Sequence, residues 1–207
     1  MTDNAKFWDK HAKGYAKSRV KNMAAYQTTL DRSKAHLSPE DQVLEIGCGT
    51  GTTALKLANS VAGITGTDIS ANMIDIAQDK ARAEGVENVT FFQADLFDKR
   101  LTPGSFDAIL AYNVLHLLAD TPVALDRIQT LLKPKGRLIC KTPCLGEMNI
   151  FIRALVPVLM KLGLAPSPVQ SFKKAALEDH IAKAGFEIVE TGLYPAPASF
   201  FIVARQP

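Results

Sequence analysis

Cysteine is scarce in this chain: 207 residues carry three, Cys48, Cys140 and Cys144. The number is odd and no pair has a recognised ligand spacing. That excludes a disulfide framework or zinc site as the working expectation and favours free thiols in a reducing, cytoplasmic compartment, with no metal. Charge of one sign is also lacking. Lys and Arg total 24 against 21 Asp and Glu, a net charge of +3, too mild a balance to expect a nucleic-acid partner. Long hydrophobic runs are missing too. The longest apolar stretch, residues 149–164, is interrupted by Arg153 and Lys161 and is too short and too charged to span a bilayer. The first four residues, Met1-Thr2-Asp3-Asn4, carry no apolar segment, so no secretory leader is expected. No internal repeat or low-complexity linker interrupts the chain. What remains is 47% hydrophobic and 22% charged residues, the composition of a globular domain long enough to bury a full core.

The richest stretch is residues 43–51, Val-Leu-Glu-Ile-Gly-Cys-Gly-Thr-Gly. An apolar run ends in a carboxylate, Glu45, and glycines follow at alternate positions, Gly47, Gly49 and Gly51. A helical apolar pattern (Ala54, Leu55, Leu57, Ala58) starts at once. A buried strand is turning tightly into a helix, with side chains removed where a ligand presses on the backbone. An acid before the glycines suits a ligand with positive charge near the turn. S-adenosylmethionine brings a sulfonium and an ammonium, whereas a nicotinamide dinucleotide brings a pyrophosphate. The dinucleotide fingerprint places its third glycine three residues after the second; here that place holds Thr52.

The rest of the chain alternates. Residues 5–37 read as two helices, the first carrying Phe7, Trp8, His11 and Tyr15 at spacings of three and four. Strands are expected at 42–46, 61–67, 88–93, 106–112 and 137–141. Helices are expected at 51–59, from the cap Ser70 to Gly85, at 120–132 and at 171–185. Two closing strands follow, at 186–190 and 199–204. Lys133-Pro134-Lys135-Gly136 reads as a break before the fifth strand. Strands alternating with helices imply a parallel sheet covered on both faces, with ligands at the carboxyl ends of the strands.

The residues just after each strand form a set. Asp68 ends the second strand, 21 residues after Gly47, where a carboxylate can accept from both hydroxyls of a ribose. Asp95 ends the third and can accept from an adenine amine, with Leu96 against the ring. Ile69 and Met73 can cover its faces. Each alone has a plainer reading: Asp68 as a helix cap, Asp95 as a loop acid, Met73 as core.

These landmarks resemble those of class I S-adenosylmethionine-dependent methyltransferases, in the broad bacterial small-molecule group. The match rests on residues 43–51, 67–70 with Met73, Ala94-Asp95-Leu96, Phe106-Asp107 with 113–116, and 132–136, and spans about residues 5–145. The resemblance implies an α/β three-layer, Rossmann-like sandwich. Its seven-stranded, mostly parallel sheet is ordered 3-2-1-4-5-7-6 with strand 7 antiparallel, under an N-terminal helical lid. It divides a single domain, 1–207, into a lid (1–38), a cofactor core (39–145), an insert or cap (146–170) and a C-terminal helix and strand pair (171–207). It also implies that Glu45, Gly47, Cys48, Gly49 and Gly51 approach the methionine part of S-adenosylmethionine. Asp68 then holds the ribose, Asp95 and Leu96 the adenine with Ile69 and Met73, and Asn113 lies at the cofactor's edge. Tyr15 of the lid either approaches the cofactor or packs on the core. The chain departs from the usual Lys-Pro-Gly-Gly before strand 5, carrying Lys135 in place of the first glycine.

Methyl transfer from a sulfonium is an in-line displacement with a neutral leaving group, so alignment and exclusion of water matter most. His116, after the fourth strand, either acts as a general base on the acceptor or only shapes the pocket. The insert at 146–163 is where acceptor choice should reside: as a cap over a small, lipophilic acceptor, as an amphipathic contact with a membrane surface, or as a helix packing on the core or a second subunit. The alternatives to a methyltransferase are a catalytically silent cofactor-binding partner and, more remotely, a nicotinamide-dependent oxidoreductase.

Overall fold

The computed structural model describes residues 3–197 and 199–207; Met1 and Thr2, where the expectation about a leader begins, lie outside them. Helices α1 (Asp3–Lys17) and α2 (Met23–Lys34) precede the sheet. Then follow β1 (Gln42–Ile46), α3 (Thr52–Leu57), β2 (Gly63–Asp68), α4 (Ala71–Glu84), β3 (Val89–Gln93), β4 (Phe106–Tyr112), α5 (Thr121–Leu131) and β5 (Leu132–Pro143). The chain closes with α6 (Ile150–Lys161), α7 (Lys174–Lys183), β6 (Glu187–Leu193) and β7 (Ser199–Arg205). The sheet runs β3-β2-β1-β4-β5-β7-β6. All pairings are parallel except the two made by β7. This is the expected order and the expected sense of the last strand.

The central strands explain themselves. Four of the five β1 residues are buried, as a parallel strand covered on both faces must be. Their side chains divide between two cores. Leu44 and Ile46 join Ile109, Leu138 and Ile202 on one face, while Val43 joins Ala108, Leu110, Ile139 and Val203 on the other. Just before β1, both carboxylate oxygens of Asp41 accept from the Arg137 guanidinium of β5 at 2.7 Å, tying together the two strands that flank β4. Helix α4 starts as its sequence dictates. Ser70 Oγ accepts from the Met73 N–H at 3.1 Å, and Gly85, at φ 63°, ends the helix in the left-handed region.

Three segments differ from the sequence expectation. Helix α5 stops at Leu131, and β5 starts at once, so residues 133–136 lie within the strand rather than before it. Leu132 pairs with Phe106 and Arg137 with Ala108, so the strand bulges between them, with Lys135 at φ 64°. The replaced glycine therefore falls on a left-handed position, which an exposed lysine occupies. Gly136 has no such latitude, because a Cβ there would lie 2.8 Å from the Lys133 carbonyl oxygen. The insert is a short turn at Leu145–Glu147 followed by α6, with Pro157 inside the helix, instead of one helix across 146–163. Helix α7 begins at Lys174, three residues later than the pattern suggests.

Candidate active site

The carboxyl ends of β1, β2 and β4, with the segment after β3, converge on a cavity of about 550 Å³. The glycine turn forms one side. Gly47, Gly49 and Gly51 all have positive φ (63°, 53° and 73°), but for different reasons. A Cβ on Gly47 would lie 2.6 Å from Val114, and one on Gly51 would lie 2.7 Å from Phe91 and 2.9 Å from Ala77. Those two glycines are demanded by packing. At Gly49 the nearest atom is Tyr15 Cε1, at 3.7 Å, an ordinary contact, so of the three this glycine alone has room for a side chain.

Asp68 braces that turn. Its Oδ2 accepts from the Gly49 N–H at 3.0 Å and its Oδ1 from the Ser70 N–H at 2.9 Å. Burial raises its pKa above the usual carboxylate range, opposed by those backbone donors. The cap and ligand roles are thus compatible, since a carboxylate offers about four acceptor sites and its backbone donors do not fill them. Asp95 accepts from the Phe97 N–H at 2.8 Å. Its loop is pinned by Arg127, which donates to the carbonyls of Leu96 (3.3 Å) and Leu101 (2.8 Å). Asn113 takes φ 55° and donates its N–H to the Lys141 carbonyl at 2.7 Å; a left-handed non-glycine residue at a strand tip is the kind of strain that collects at functional sites.

Of the residues singled out in the sequence, Tyr15, Gly47, Gly49, Asp68, Ile69, Met73, Asp95, Leu96, Asn113 and His116 line this cavity. Glu45 and Gly51 do not: Gly51 serves the packing of α4 and β3, and Glu45 is buried behind the turn. Cys48 faces a second cavity, of about 580 Å³, whose lining shares Tyr15, Tyr112 and Asn113 with the first. Glu45 is the least satisfied group here. Its Oε2 is buried with no hydrogen-bond partner, and burial pushes its pKa up to about 8.

Helix α1 lies across the mouth and contributes Asn4, Trp8 and Tyr15. It is held by Asp9, whose Oδ1 accepts from Ser70 Oγ (2.6 Å) and the Asn72 N–H (3.1 Å) at the start of α4. Tyr15 stands half exposed, yet desolvation and the carboxyls of Glu45 and Asp68 raise the pKa of its phenol. The opposite wall is apolar: Leu117 and Leu118 after β4, Pro143 at the end of β5, and Val156, Ala165, Pro166 and Val169 from the insert. His116 sits among them in a short 3₁₀ turn. Its Nδ1 is buried without a partner, and burial lowers its pKa to about 4.

Asn4 escaped the sequence reading, which named Trp8 only within the aromatic stripe of the first helix, since a packed aromatic and a lid aromatic share the same helical spacing; the insert was expected as one of three things, a cap among them, with none of these wall residues named. Among the described residues no group of three or more His, Cys, Asp or Glu side chains could hold a metal ion, and no helix is long and apolar enough to cross a membrane.

Residues 37–182 match the model of a methyltransferase domain. The chain belongs to the methyltransferase-domain family. Methyltransferase GfsG of Streptomyces halstedii is 31% identical over 164 residues, covering 78% of this chain and 56% of that protein. The demethylmenaquinone methyltransferase of Lactococcus lactis is 30% identical over 167 residues, 72% of this chain and 66% of its own length. This chain therefore spans less than two thirds of those relatives, and 5% of each of two polyketide synthases that it also matches. Among solved structures, an S-adenosylmethionine-dependent methyltransferase of Methanosarcina mazei superimposes with a TM-score of 0.70 at 22% identity, over 84% of this chain and 96% of that one. The shared fold is class I, and in this methyltransferase-domain chain the cavity at the strand tips occupies the place where ligands bind on such sheets.

Proposed function

We propose that the chain transfers a methyl group from S-adenosylmethionine to a small molecule with an apolar body. The observation that carries this reading is the pairing of Gly49, which lines the cavity and has room beside Tyr15, with the Asp68 carboxylate, which braces it and lines the same cavity. The orphaned Oε2 of Glu45 behind the same turn fits a ligand with a cationic end. When bound, the cofactor supplies a methyl group activated by a sulfonium.

In this reading Asp68 accepts from the ribose hydroxyls and Asp95 from the adenine amine, while Ile69, Met73 and Leu96 cover the ring. Glu45 supplies negative charge toward the ammonium. Helix α1, latched by Asp9, closes the mouth and excludes water, so the residues align two partners instead of donating protons. The apolar wall from the insert and Leu117–Leu118 supports an acceptor with a hydrophobic body; the names of similar proteins, a demethylmenaquinone methyltransferase and polyketide synthases among them, favour the same class. His116, held neutral, is available to take a proton from that acceptor.

Titration calorimetry with S-adenosylhomocysteine and with NAD tests the reading. The expected result is micromolar binding of the first and none of the second. Loss of charge-assisted hydrogen bonds in Asp68→Ala should weaken binding about 10- to 100-fold. Unchanged affinity in that variant sinks the ribose assignment, and preference for NAD sinks the function.

A further inference from the structure

Helix α6 is apolar on two sides. Val156 lines the first cavity, and Leu159 and Met160, on the same side of the helix, are half-buried. The side turned away from the cavity carries Phe151, Leu155, Val158 and Leu162. These follow one another at spacings of four, three and four residues, so they form one stripe. All four are exposed, Phe151 at 80% and Leu162 at 66%. Ile150 and Leu164 extend the patch at its ends. Half of the large apolar side chains exposed among the described residues lie on this one segment, 150–164. An apolar patch gathered this way on the outside of a protein marks a surface that something covers. A molecule in the cavity cannot cover it, because the stripe faces the other way.

The charge beside the stripe indicates what does. Residues 148–177 hold Arg153, Lys161, Lys173 and Lys174 and no Asp or Glu, in a chain whose charges otherwise nearly balance. Arg153 and Lys161 are the charged residues of α6. Both are exposed and lie outside the stripe, and neither makes an ion pair among the described residues. Just past α6, Gly163 and the residues up to Ser167 line a groove with Lys6 and Lys10 of α1. Asp3 lines it too and pairs with Lys6 at 3.5 Å. Asn4 Oδ1 accepts from the Ser167 N–H at 2.9 Å, which ties α1 to this segment and sets its lysines beside the end of the patch. Apolar side chains next to unpaired cations match the acyl boundary and anionic headgroups of a bilayer. A second copy of the chain matches less well. A two-fold contact sets the patch on itself and brings Arg153 and Lys161 toward like charges, with no acid on the segment to pair them.

We propose that α6 seats the protein on an anionic lipid bilayer, with the stripe in the boundary between headgroups and acyl chains and Arg153, Lys161 and Lys10 at lipid phosphates. The methyl acceptor is then a lipid-soluble molecule that passes from the bilayer along α6 into the cavity whose wall α6 helps to form. The acceptor route rests on the methyltransferase reading; the docking surface does not.

Co-sedimentation of the full chain with vesicles tests this, comparing phosphatidylcholine alone with a mixture containing about one third phosphatidylglycerol. Binding is expected to the mixed vesicles, weakening as salt is raised, and far weaker to phosphatidylcholine alone. Phe151→Ser with Leu162→Ser should weaken it about 100-fold, and Arg153→Gln with Lys161→Gln about 30-fold. These four side chains are exposed and do not line the cavity, so both variants should bind S-adenosylhomocysteine as the wild type does, which also reports that they fold. No binding to either vesicle, or binding that neither variant weakens, overturns the proposal. So does a dimer in light scattering that Phe151→Ser with Leu162→Ser dissociates while vesicles stay unbound; the stripe is then an interface between copies. Vesicle binding as expected by a chain that ignores S-adenosylhomocysteine keeps the docking surface and removes the acceptor route together with the proposed function. Binding of S-adenosylhomocysteine without vesicle binding keeps that function and removes the docking surface.

Discussion

Replacing Glu45 by Gln should stabilise the ligand-free protein, and the gain should grow with pH. Glu45 is buried on a central strand, with Oε2 unpartnered and its pKa raised from 4.5 to about 8. The folded chain therefore holds a proton that the unfolded chain has released between these values. Linkage makes stability fall as pH rises through that window and level off above the folded pKa. Each pH unit inside the window is worth about 1.4 kcal/mol per proton, so the wild type should lose on the order of 2–3 kcal/mol between pH 5 and pH 7 from this group alone. Glutamine mimics the protonated acid and does not titrate. Urea unfolding at the two pH values, compared between wild type and Glu45→Gln, isolates the effect from other titrating groups. The variant should match the wild type near pH 5 and exceed it at pH 7. Parallel pH dependences would refute the reasoning, because they would mean that Glu45 is ionised in the folded, empty protein. The same variant should bind S-adenosylhomocysteine about tenfold more weakly through loss of a charge-assisted contact. A group that costs stability without ligand and gains affinity with it is the pattern expected of a site residue.

Three further outcomes follow from the geometry. Asp9→Ala removes the latch between α1 and the start of α4; amide hydrogen exchange across α1 should accelerate about tenfold while exchange in β1 and β4 stays fixed. Gly51→Ala should cost about 2–4 kcal/mol in denaturant unfolding, a left-handed penalty plus overpacking against Phe91 and Ala77, whereas Gly49→Ala should cost only about 1–2 kcal/mol and mainly weaken S-adenosylhomocysteine. Because burial holds His116 near pKa 4, turnover should show no inflection between pH 5.5 and 7.5 traceable to this residue; an inflection that vanishes in His116→Asn would contradict its placement as a neutral group.

The fold was legible because its signals are local and repeated. Apolar runs such as Val43–Ile46, the Ser70 cap and the Gly85 stop each have one physical reading, and their alternation gives the layers. The site was legible where function and position coincide, at residues following strands: Gly49, Asp68, Asp95 and Asn113 all reach one cavity. Legibility failed where a residue type has two equally good reasons. Gly51 read as ligand-facing, yet it does not line the cavity and Phe91 and Ala77 exclude a side chain there, while Gly47 lines the cavity and is also held to glycine by Val114. Lys133 to Gly136 read as a turn because Pro and Gly usually end pairing; here they form a bulge that strand β4 tolerates. The insert's apolar count anticipated a cap, but only the packing of Val156, Ala165 and Val169 shows which part of it lines the cavity.

The most direct measurement is a crystal structure of the protein with S-adenosylhomocysteine. The adenine should lie against Ile69 and Leu96, the ribose hydroxyls on Asp68, and the amino acid end at Gly49, with the sulfur facing the apolar wall beside His116. Density for the ligand outside this cavity, or a ribose turned away from Asp68, would contradict the assignment of the site.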